Sequence, residues 1–71
     1  MATKILLIGF DLSKPEDVAV AEALEEYAEA AEREGRTVVG TPDTTVVRDD
    51  PERTAMGEYA VAVVGEWSDG D

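Results

Sequence analysis

The side chains of this chain that could do chemistry are carboxylates and hydroxyls, and little else. Its 71 residues hold 17 acidic and 6 basic side chains, with neither histidine nor cysteine. Those two absences remove disulfides, thiolate nucleophiles, thiolate or imidazole zinc sites and histidine acid–base catalysis together. Asp11, which ends the apolar run Ile5 to Phe10, is the one carboxylate placed where a strand end could present a divalent cation to a phosphate. The simpler role, and the one favoured here, is that Asp11 and Ser13 order the turn and cap the following helix. The threonines Thr41, Thr44, Thr45 and Thr54 have no base or thiol nearby in sequence, so nucleophilic catalysis lacks its second member.

Phosphate and calcium loops fare no better. The segment Gly9 to Lys14 precedes a helix but has a single glycine and fits neither G-x-G-x-x-G nor G-x-x-x-x-G-K-[ST]. The acidic groups Asp49, Asp50 and Glu52, and Asp69 and Asp71, lack the alternation D-x-[DN]-x-[DN]-G. No catalytic residue, metal ligand or cofactor is therefore expected.

The net charge of -11 points to partners instead. Lys4, Lys14, Arg33, Arg36, Arg48 and Arg53 lie scattered among carboxylates, which excludes direct binding to nucleic acid, whose affinity comes from lysines and arginines neutralising phosphates. No apolar run is long enough for a membrane span or an export signal, and a cytoplasmic location is expected. The glutamates Glu22, Glu25, Glu26, Glu29 and Glu32 fall on one side of a helix and form a stripe that could imitate nucleic-acid phosphates on a basic partner. An ordinary solvated face, or the acid bias of a halophile, would give the same composition. Salt separates the cases, because it weakens a mimic's complex and strengthens a halophilic fold.

The elements that must position these groups follow from periodicity. Thr3 to Phe10 is apolar on both alternating faces and reads as a central strand covered on both sides. Ser13-Lys14-Pro15-Glu16 has the form of a capping box and opens a helix over 14–34, with Val20, Leu24, Tyr27, Ala28 and Ala31 on its inner stripe. Gly35 sits at the position that ends it, near Arg33 and Arg36. Two β-branched runs, 36–40 and 44–48, read as a hairpin turned at Thr41-Pro42-Asp43. Asp50 and Pro51 start a helix of one to two turns that stops at Gly57. Glu58 to Trp67 alternates as the last strand, and 68–71 is a polar tail to a single domain over 1–67.

The order β-α-β-β-(short α)-β is α+β, with one helix on a four-stranded mixed sheet, and it resembles a ferredoxin-like fold or a truncated relative. That resemblance implies that the first and last strands lie side by side. The run Gly9-Phe10-Asp11 also resembles, in position, the strand-end aspartate of small CRISPR-associated metal-dependent nucleases, which would imply a phosphodiesterase built on Asp11. One helix about 10 Å wide cannot cover both faces of such a sheet. A second copy of the chain, or another protein, is therefore expected to cover the open face, with Tyr59, Val61, Val63 and Trp67 as anchors and the five helix glutamates as a second contact surface. The expected function is a small acidic, non-enzymatic interaction protein that self-associates and binds or inhibits a larger protein, as small phage or plasmid regulators do. The alternatives are the metal-dependent phosphodiesterase and a designed scaffold without biological function, the latter suggested by the regular caps and the Ala/Glu-rich helix.

Overall fold

The computed structural model describes residues 1–69 and is α+β. Strand β1 (Ala2–Asp11) leads to the main helix α1 (Glu16–Arg33), then to β2 (Val38–Val47), the five-residue helix α2 (Pro51–Ala55) and β3 (Glu58–Trp67). The sheet has three strands in the order β1-β3-β2, and both ladders are antiparallel. The expected four-stranded mixed sheet is thus corrected, and with five residues in α2 and no fourth strand among the described residues the full ferredoxin-like layout is not reached. The first and last strands do lie side by side, in unbroken register from Ala2 opposite Trp67 to Asp11 opposite Glu58.

The missing strand is explained by Gly40 and Pro42. Residues 36–48 do not fold back as a hairpin; they continue as one strand past a bulge between Val39 and Asp43. Gly40 takes φ +72°, which only glycine adopts without strain, and re-aims the chain instead of reversing it. Val39 faces Glu66 and Asp43 faces Val64, so β2 fits extra residues opposite Gly65. Pro42 fills the space that Gly65 leaves empty. A Cβ on Gly65 would lie 2.9 Å from Pro42 Cβ and 3.0 Å from the Tyr27 hydroxyl. Neither neighbour can swing away, so Gly65→Ala is expected to cost about 1–3 kcal/mol in a denaturant titration.

The ends of α1 are made differently from one another. Gly35 (φ +71°) closes the C-terminus as expected, with Arg36 N–H donating to Ala31 O (2.8 Å) and Gly35 N–H to Glu32 O (2.9 Å), a Schellman motif. At the N-terminus the capping box does not form. Pro15 occupies the cap position with no side-chain hydrogen bond, because the Ser13 hydroxyl is turned back to Asp11.

The core lies between α1 and one face of the sheet. Ala19, Ala23, Tyr27 and Ala31 are buried on the helix, at a strict spacing of four that is rotated from the expected stripe and leaves Ala28 exposed. They meet Tyr59, Val61, Val63 and Trp67 on β3. Small alanines bring the helix close to the sheet, and the aromatic rings fill the remaining volume. Tyr27 meets Trp67 edge-on at 5.5 Å, and its hydroxyl donates to Lys4 O at 2.8 Å. Helix α1 leans over β2 and β3 more than over β1, so Leu6, Ile8 and Phe10 are only half-buried.

Beyond β3 the chain keeps pairing through Ser68 N–H to Thr37 O (2.8 Å) and Thr37 N–H to Ser68 Oγ (3.0 Å), so the first residue of the expected tail extends the sheet. Residues 70 and 71 of that tail lie outside the described residues.

Candidate protein-interaction site

Among the described residues, no layer covers most of the sheet face turned away from α1. Cross-strand partners share a face, which places Ile5 with Val64 and Leu7 with Ala62 on that side. Ile5 is 67 % exposed and Leu7 49 %, with Val64 and, on β2, Val39 also exposed. Helix α2 covers only the far end, where a guanidinium nitrogen of Arg53 stands over Gly9, 2.9 Å from where a Cβ would be. Asp50 caps α2 by accepting from Glu52 N–H (3.0 Å), and Arg48 stacks on the Tyr59 ring at 4.2 Å while pairing with Glu16. These contacts fix the start of α2, the helix that carries Arg53.

Strand β1 departs furthest from its sequence. Apolar on both alternations, it was expected to be central and covered on both sides, yet it lies at the edge with one face bare. The central strand is β3, whose apolar alternations differ in side-chain size. Its larger set, Tyr59, Val61, Val63 and Trp67, is buried under α1, and only the smaller set, Ala60, Ala62 and Val64, faces the other way. The four residues expected to anchor a partner are therefore core residues, 0–2 % exposed. Side-chain size along the strand was the signal that separated the two faces, because the volume between helix and sheet must be filled.

On the other side of β1, a groove runs between that strand and α1. Ile8 and Phe10 form its floor, and Glu22, Glu25, Glu26 and Glu29 line it from the helix. Glu32, the fifth expected glutamate, lines a separate hollow with Arg36 and Val38. Lys14 lies at the Phe10 end of the groove, with its ammonium 5.4 Å from the ring centroid and paired with Glu22.

Asp11 Oδ1 accepts from Ser13 N–H (2.9 Å) and from the Ser13 hydroxyl (2.6 Å), and these bonds hold its pKa below the ordinary carboxylate value. The carboxylate is thereby part of the turn, alongside Lys14 N–H donating to Asp11 O (2.9 Å). Among the described residues no group of three carboxylates comes together in a way that could hold a metal ion, and no helix is long and apolar enough to cross a membrane. No family model, curated protein or solved structure matches the chain.

Proposed function

We propose that this chain is a small, acidic, non-enzymatic interaction protein that covers its bare sheet face by self-association. The observation that carries the reading is that Ile5 and Leu7, large apolar side chains in the middle of a regular strand, stand 67 % and 49 % exposed on the face without a helix. Fully burying such a side chain is worth about 1.5–3 kcal/mol, and small monomers rarely leave several together in water. A second copy offers the same strip, Ile5, Leu7, Ala62 and Val64, and two such faces stack as sheets do, about 10 Å apart. The carboxylates of this face are Asp11 and Glu58 at one end, Glu66 at the other and Asp43 on β2 beside Val64, so the apolar area free for contact lies on the β1 side, at Ile5, Leu7 and Ala62.

Leu7→Asp tests the reading in sedimentation velocity. The variant is expected to sediment as a 7.6 kDa monomer at concentrations where the parent chain is a dimer, with an unchanged circular dichroism spectrum. Added salt is expected to tighten the parent dimer, because it screens repulsion between two chains of net charge -11. Equal sedimentation of variant and parent would rule this face out as the contact.

A further inference from the structure

We propose that the outer edge of β1, with the groove beside it, receives an extended basic segment of another protein as an added strand. The groove lies on the helix side of the sheet, opposite the bare face, and its occupation is read at the β1 edge amides rather than in the oligomeric state, so failure here and failure of self-association are distinguishable.

The two edges of the sheet are built differently. On β2 the edge is broken by Gly40 at φ +72°, by Pro42 and by the residues the bulge adds, devices that stop another chain from pairing. Along β1 there is no such device: ten residues run in one continuous register with β3, without proline or bulge. Sheet edges left straight and apolar pair readily with other strands, and proteins that bind extended peptides use them that way. Because β1 is apolar on both alternations, a strand added at its edge would find apolar side chains to pack beside on each face.

The groove states the chemistry of the added strand. A strand laid about 4.8 Å outside β1 would turn alternate side chains toward α1 and the others toward Ile5 and Leu7. The first set would pass over Ile8 and Phe10 and meet Glu22, Glu25, Glu26 and Glu29. Lysines or arginines fit there, with their stems on the apolar floor and their charges on the carboxylates. The chain already holds one example at the end of the groove, Lys14, placed over Phe10 and paired with Glu22. A second copy of β1 fits this edge poorly. It carries a single basic residue, Lys4, and edge-to-edge pairing about a two-fold axis would put both helices on the same side of the joined sheet with their glutamates facing each other. The segment recognised is therefore basic at every second residue and apolar or β-branched between.

A synthetic peptide of about nine residues alternating Lys and Val, titrated into the isotope-labelled full chain, tests this by amide chemical shifts and hydrogen exchange. The expected result is shifts along β1 and slowed exchange of alternate β1 amides, with affinity falling as salt rises. The triple variant Glu25→Gln, Glu26→Gln, Glu29→Gln is expected to weaken binding about tenfold. Glu34→Gln, Asp49→Asn, Glu52→Gln, which removes the same charge elsewhere, is expected to leave it within about twofold, and circular dichroism confirms that both variants are folded. Equal losses in the two triple variants would show attraction to net charge alone and overturn the proposal. Shifts that avoid β1, equal binding of a peptide with its lysines grouped at one end, or β1 edge amides already protected without peptide would overturn it as well.

Discussion

Val61→Asp is expected to abolish the fold, whereas Ile5→Asp keeps it, although both put a carboxylate in the place of an apolar strand residue. Val61 is fully buried between its register partners Ile8 and Val46, beneath α1. A carboxylate there sits among apolar core side chains and costs several kcal/mol, more than the roughly 3–5 kcal/mol a core of this size supplies. Ile5 stands opposite Val64 on the bare face, and aspartate there gives up the contact with a second copy but, within the chain itself, only strand preference, about 1 kcal/mol or less. Far-ultraviolet circular dichroism separates the outcomes. Retained structure in Val61→Asp, or loss of it in Ile5→Asp, would mean that the helix covers the other face.

Tyr27 gives the second large effect. It is fully buried, packs edge-on against Trp67 and reaches across to Lys4 O. Tyr27→Ala is expected to cost about 3–5 kcal/mol and to unfold the isolated chain. Tyr27→Phe keeps the ring and loses the hydrogen bond, at about 1 kcal/mol. The same residue sets an alkaline limit. Burial raises the phenol pKa above its ordinary value. In the unfolded chain the phenol ionises first. The stability Tyr27 contributes is therefore full below pH about 10 and is lost as pH rises toward the higher folded value. Denaturant midpoints measured from neutral to strongly alkaline pH should fall less steeply for Tyr27→Phe than for the parent; parallel curves would exclude the phenol as the titrating group. The indole Nε1 of Trp67, buried without a hydrogen-bond partner among the described residues, adds to the cost of holding this corner together and makes ring packing the term that matters there.

Short-range rules read well wherever one residue decides the local backbone. Gly35 ends α1, Asp50 and Pro51 start α2, and Glu58–Trp67 is the last strand, because cap chemistry and strict alternation act over a few residues. They failed where two local devices competed. Ser13 had both Asp11 and the helix end within reach and went to Asp11; Gly40 and Pro42 could turn the chain or bulge it, and Gly65 on the neighbouring strand made room for the bulge. Local pattern does not carry that second fact, since residues 42 and 65 meet only in the folded sheet. The position of β1 was misread for a related reason. Apolar alternation reports that both faces of a strand prefer to be buried, and it does not say whether the same chain buries them. The disagreement between what β1 is made of and where it lies is the basis of both surfaces proposed for this protein.

Small-angle scattering of the parent chain over a range of micromolar concentrations tests the central claim most directly, because forward scattering gives the mass of the folded species. The account predicts a mass twice 7.6 kDa and no binding of an apolar dye, with Ile5 and Leu7 closed against a second copy. A folded particle of single mass at every concentration, with a radius of gyration near the 12.9 Å of one chain and no dye bound, would contradict it.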